Sequence, residues 1–232
     1  MPELLMTSAD SAASDRLEVF DTAAHDLRNP LTVILSLTDL LLHEQTLDSE
    51  ETRQFIEAIR TSADEMHRLL DDLQEIARIE ARQHTVSRSH VPIAALVDEA
   101  IADAGLAGRA GVEIDAGLDW WPLAHNRMRR ALCLLLADAA TRTGTGVSVT
   151  VTSAGADLLI EICDDGVALA PEALEELSAS LRRGRRRKGE IAVGTGLGPA
   201  LAARIVEAHG GSVTAAALGT RGTVLRVRLP RG

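Results

Sequence analysis

The chain has 232 residues, 46% of them apolar and only 2% aromatic, a length suited to one medium domain or two small ones. Its 24 basic against 34 acidic side chains leave a formal net charge of −10, which disfavours loading the surface onto phosphate backbones and, with so few aromatics to stack on bases, argues against a nucleic-acid reader. No run reaches the roughly 18 apolar residues a membrane span needs, and the leading MPELLMTSADSAASD lacks the basic segment and apolar block of a secretory signal. The expectation is a cytoplasmic protein with no nucleic-acid or membrane partner. Cys133 and Cys163 are too few for a disulfide framework and have no metal-ligand spacing around them, so both read as buried thiols.

Residues 1–16 are small and polar and are expected as a disordered tail, too short to hold a sensor domain. From Leu17 the apolar positions run Leu17, Phe20, Ala24, Leu27, Leu31, Ile34, Thr38, Leu41, and a second series runs Phe55, Ile59, Ser62, Met66, Leu69, Leu73, Ile76. Both alternate steps of three and four, which predicts two long helices over 17–82 joined by a polar connection near His43 to Glu50. Val33, Leu40 and Leu42 broaden the apolar stripe of the first helix. A four-helix bundle made by two copies would cover that surplus; a monomeric hairpin packed on the rest of the chain is the other reading.

The segment QHTVSRSHV followed by Pro92 breaks the period, so residues 83–90 read as a linker. Beyond it the texture is α/β: a helix over 93–104, a short strand over 111–115, a helix over 125–142, strands from Val147 and up to Cys163, a helix from Leu197 to His209, then strands in GSVTAAA and TVLRVRLP. These predict an α/β sandwich over 91–232, a mixed sheet with helices on one face. Trp120 and Trp121 are expected to pack against its core or the linker, and His43, His67, His84, His90, His125 and His209 form no metal-ligand pattern.

His25 follows Ala24 and should reach solvent beside the stripe. A neutral imidazole can attack phosphorus if a neighbour stabilises its other nitrogen's proton, and Asp26 is adjacent. Asn29 lies four residues on, where an amide could orient water or a phosphoryl oxygen, and Pro30 removes a helix donor and invites a kink. Taken alone, such a pair also fits a solvated surface. The whole string HDLRNP, however, resembles the phosphoacceptor box of two-component sensor histidine kinases. That resemblance implies phosphorylation of His25, activation by Asp26, and a role for Asn29 in positioning water for dephosphorylation of a partner. It also implies a homodimer through the hairpin, a response-regulator receiver domain as phosphoryl acceptor and, with no sensor segment, a separate sensory partner.

In CDDGVALAPE, Asp164 and Gly166 follow a strand directly, where a buried carboxylate can accept from an exocyclic amino group and Gly admits a close base. In VGTGLGPAL, Gly194, Gly196 and Gly198 precede a helix and can offer backbone N–H groups to phosphates. Either segment alone also fits a turn or a steric need. Together, with GTRGTVLRV near Gly222 and HGG at 209–211, they resemble the glycine boxes of the histidine-kinase ATP-binding domain. That implies ATP with Mg2+, Asp164 at the adenine, and Gly194, Gly196 and Gly198 around the triphosphate.

The sequence departs from this family in LLLADAATRT. Asp138 stands where an Asn supplies the magnesium ligand and is the candidate metal residue; Leu134 replaces a second Asn, Thr141 a phosphate-contacting Lys, and Arg142 is left to supply positive charge to the nucleotide. Ala168 replaces a glycine, and no lid phenylalanine is visible between Pro171 and Gly194. The lid instead carries LRRGRRRKGE, six basic residues from Arg182 to Lys188, readable as a solvated loop, a phosphate clamp or a docking strip for an acidic partner. The leading expectation is a kinase that phosphorylates His25 from ATP and passes the phosphoryl group on. The alternative is a degenerate histidine phosphotransferase or signalling scaffold that no longer binds ATP.

Overall fold

The computed structural model describes residues 3–43, 48–81, 87–143, 146–183 and 197–231. It divides into two compact units, Met1–Glu75 and Ile76–Gly232.

The first unit is a helical hairpin of α1 (Glu3–His43) and most of α2 (Ser49–Glu80). A capping box starts α2: Asp48 Oδ1 accepts the N–H groups of Glu50 and Glu51, each at 2.8 Å, and Glu51 Oε2 accepts that of Asp48 at 3.0 Å. The second series of apolar positions is on the inner face as expected, with Ser62, Leu69 and Ile76 buried and Phe55, Ile59, Met66 and Leu73 half-buried. On α1 the inner face is displaced by one position in places. Ala23 and Pro30 are buried where Ala24 and Leu31 were expected, while Leu27, Ile34, Thr38 and Leu41 are half-buried.

Residues 3–16, expected as a disordered tail, are the first turns of α1. Between Pro2 and Pro30 the sequence holds neither Pro nor Gly, so nothing in it stops a helix.

In the second unit, β1 (Ser89–Pro92) pairs antiparallel with β3 (Trp120–Leu123), so the expected linker ends in a strand. The main sheet has five strands in the order β2 (Ala110–Ile114), β4 (Val147–Ala154), β5 (Asp157–Asp164), β7 (Thr223–Pro230), β6 (Ser212–Ala217). Only the β2–β4 pair is parallel, giving the mixed sheet the sequence predicts. Alternate residues Val147, Val149 and Val151 on β4, and Leu158, Ile160 and Ile162 on β5, are buried. They belong to a core shared with α3 (Ile93–Asp103), α4 (His125–Ala140) and α6 (Leu197–Ala208). The opposite face carries cross-strand ion pairs such as Arg226 with Glu161 at 2.6 Å. A further helix, α5 (Pro171–Arg183), occupies the start of the expected lid.

Trp121 is buried, with the Arg231 guanidinium 5.2 Å from its ring, whereas Trp120 is 55% exposed; the expectation of packing holds for Trp121 only. Cys133 and Cys163 are half-buried free thiols, and burial raises the pKa of both. Buried His209 joins the end of α6 to the start of α4. Its Nδ1 lies 2.7 Å from the carbonyl oxygen of Ile205, and its Nε2 accepts the N–H of Ala124 at 3.1 Å, which requires a neutral ring protonated on Nδ1. No helix among the described residues is long and apolar enough to cross a membrane.

Candidate functional site

On α1, His25 and Asn29 are both exposed and lie one turn apart on the same face, as the i,i+4 spacing requires. Asp26 is only 4% exposed, so the residue next to an accessible imidazole is a buried carboxylate. Pro30 lies inside the helix and is buried. Lacking an N–H, it leaves the Asp26 carbonyl without its i+4 donor.

In the second unit the pleat of β5 places Asp164. Leu158, Ile160 and Ile162 point to the buried side, and with a period of two so does Asp164, which is 2% exposed. The helical period of α4 places Arg142 in the same way. Met128, Leu132, Leu135 and Ala139 form its buried stripe, and three residues on, past the helix end, comes Arg142 with a side chain 9% exposed. The two meet: Arg142 Nε donates to Asp164 Oδ2 at 2.8 Å. Asp164 Oδ1 accepts the N–H groups of Gly166 at 3.1 Å and Thr223 at 3.2 Å.

The chain crosses itself closely around this carboxylate. A Cβ on Gly166 would lie 2.1 Å from the Arg142 carbonyl oxygen, and one on Gly222, whose φ is +79°, 2.0 Å from that of Asp164. Only glycine fits either place. The N–H of Gly222 in turn donates to the Gly166 carbonyl at 2.9 Å, so the first and third glycine boxes are bonded to each other.

Arg142 also donates through Nη1 to Asp138 Oδ2, one helical turn earlier. Two carboxylates, Asp164 buried and Asp138 half-buried, and one guanidinium thus form a cluster of formal net charge −1. Burial works against the guanidinium's charge, but Asp138 and then Asp164 outweigh it and raise the Arg142 pKa above its usual value. Beside this cluster, two side-chain polar atoms are buried with no partner among the described residues, Arg142 Nη2 and Thr223 Oγ1. Orphaned polar atoms beside a buried carboxylate are what a base with its own donors and acceptors would satisfy, so the base end fits a nucleotide.

The metal end fits less well. The one candidate ligand, Asp138, is already paired with Arg142, and the described residues hold no group of three or more His, Cys, Asp or Glu that could bind a metal ion. Thr141, at the family's Lys position, turns its hydroxyl back to the Asp138 carbonyl at 2.7 Å. Gly198 is buried in the first turn of α6, where an added Cβ would lie 3.4 Å from Leu134. Gly194, Gly196 and the basic run from Gly184 to Lys188 lie outside the described residues. The sequence reading missed Thr223 altogether. It assigns Arg142 to the nucleotide by its charge alone, without the apolar stripe that Arg142 extends and the carboxylates it meets.

A helical hairpin carrying an exposed histidine, followed by an α/β domain with a buried carboxylate at the end of a strand, defines a class of protein. Residues 15–82 match the His Kinase A (phospho-acceptor) domain, and residues 124–232 match the Histidine kinase-, DNA gyrase B-, and HSP90-like ATPase. The chain belongs to the two-component sensor histidine kinases. It is 24% identical over 97% of its length to sensor protein SrrB of Staphylococcus aureus, of which it spans 40%. In fold it is similar to histidine kinase ThkA in its complex with the response regulator TrrA, with a TM-score of 0.68 at 19% identity over 100% of this chain and 68% of that one. It is also similar to full-length ShkA in complex with AMPPNP, with a TM-score of 0.63 at 22% identity over 91% of this chain and 46% of that one.

Proposed function

We propose that this chain is a homodimeric histidine kinase that binds ATP in residues 91–232, transfers the γ-phosphoryl group to His25, and passes it to an aspartate on a response-regulator receiver domain in the cytoplasm. The observation that carries this reading is the pairing of an exposed His25, in the string HDLRNP, with a domain whose buried Asp164 is ringed by glycine close approaches. Phosphoryl transfer asks little covalent chemistry of the protein, so catalysis would rest on positioning and charge. His25 would be the nucleophile, Asp26 would stabilise the proton on its other nitrogen, and Asn29 would orient water in the reverse, dephosphorylating direction. Asp164 would accept from the exocyclic amino group of adenine, and Gly194, Gly196 and Gly198 would offer N–H groups to the phosphates. The complexes named for ThkA and ShkA support a receiver partner and a nucleotide by likeness.

The dimer is supported by what the hairpin leaves bare. Leu31, Leu35 and Leu42 on α1 are exposed, as are Ile56 and Leu70, two heptads apart on α2. Such stripes suit a second copy in a four-helix bundle.

A non-nucleotide scaffold that still presents His25 is the second reading, favoured by the ion pairs that already engage Asp138 and Asp164. Calorimetric titration with Mg-ATP separates the two. The kinase reading expects binding that Asp164→Asn abolishes in a folded protein, and absence of binding to the folded wild type would favour the scaffold.

A further inference from the structure

The family pattern puts a metal ligand at Asp138, yet the carboxylate there is the counter-ion of a buried guanidinium. A magnesium ion holds near-octahedral oxygen ligands and gives up its water reluctantly. To bind Asp138 through Oδ2 it would displace Arg142 Nη1, and through either oxygen it would stand beside that guanidinium's positive charge. The same guanidinium fixes Asp164 through Nε, and its remaining amino group, Nη2, is buried with no acceptor among the described residues.

We infer that Arg142 takes the place of a protein-bound divalent metal in this site. Its guanidinium neutralises Asp138, orients Asp164 for the base, and holds Nη2 for an acceptor atom of the nucleotide. The inference rests on the nucleotide reading given above and makes a distinct claim within it: Asp138 is not a metal ligand, and nucleotide affinity depends little on magnesium while Arg142 is present.

The test is calorimetric titration of ATP in excess magnesium and again in excess EDTA, using the wild type, Arg142→Gln and Asp138→Ala, with circular dichroism to check folding. In the wild type the two affinities should agree within about threefold, and in Arg142→Gln magnesium should strengthen binding by about tenfold or more, because Asp138 is released. Asp138→Ala should respond to magnesium as little as the wild type. A wild-type response of tenfold or more that Asp138→Ala removes would overturn the inference, and so would an Arg142→Gln response as small as the wild type's. If Arg142→Gln does not fold, the comparison of wild type with Asp138→Ala decides alone. A folded wild type that binds no ATP in either medium would remove the nucleotide reading, and this inference with it.

Discussion

Arg142 and Asp164, 22 residues apart in sequence, form an ion pair at 2.8 Å between side chains that are 9% and 0% exposed. Removing Asp164 leaves Arg142 its pair with Asp138, so the guanidinium keeps a counter-charge, but its buried Nε loses an acceptor, which typically costs about 1–3 kcal/mol. Asp164→Ala would also strip the acceptor from the Gly166 and Thr223 N–H groups. Chemical denaturation should therefore show a loss of about 3 kcal/mol or more for Asp164→Ala. A loss under about 1 kcal/mol would mean the pair is not formed as described.

Gly222→Ala should be nearly as damaging for a different reason. The new Cβ would lie 2.0 Å from the Asp164 carbonyl oxygen at a φ of +79°, so the chain must both move and adopt a strained backbone. A lowered melting temperature with weaker nucleotide binding is expected. Gly155 also has a positive φ, of +67°, but nothing lies within 4 Å of its Cβ position. It is the control that carries backbone strain without collision, and Gly155→Ala should cost less.

His209 makes stability depend on acidity. Burial lowers its pKa, with Arg88 and Arg127 adding repulsion against the bond to Ile205, which pulls the other way. The folded state therefore binds fewer protons than the unfolded one near an unfolded pKa of about 6.5. The contribution is fully present above that value and is lost as pH falls toward the lower folded pKa, where the protonated ring can no longer accept the Ala124 N–H. Denaturation midpoints between pH 7.5 and 5.5, about one unit either side of the unfolded pKa, should fall more for the wild type than for His209→Gln. Parallel curves would contradict this assignment.

Leu35 and Ile56 are 57% and 54% exposed within one chain. Leu35→Glu and Ile56→Glu should therefore leave the hairpin helical while shifting sedimentation from dimer to monomer. Dimers that persist in the double variant would put the interface elsewhere.

The sequence is most legible where one physical demand acts on a segment. The α2 series from Phe55 to Ile76 is inward as read, because its outer face is mostly charged and carries only scattered large apolar residues such as Ile56 and Leu70. On α1 two neighbouring stripes are apolar, so periodicity alone does not say whether Ala23 and Pro30 or Ala24 and Leu31 face the partner helix. The strands with five or more residues are legible from β-branched runs, whereas β1 and β3, of four residues and each containing Pro, are not. Asp164 is legible because it closes a strand whose alternation is plain in the sequence. The clasp of Arg142 is not, since its partners lie 4 and 22 residues away and charge alone suggests the nucleotide. Its phase on the α4 stripe is the signal that places it.

The most direct test of the central claim is autophosphorylation with γ-labelled ATP and magnesium, comparing the wild type with His25→Ala and checking the chemical stability of the label. The account expects an acid-labile, base-stable label on the wild-type dimer and none on His25→Ala, whose exposed position should leave folding and nucleotide binding intact. A folded protein that binds ATP yet labels equally with and without His25, or never labels, would contradict it.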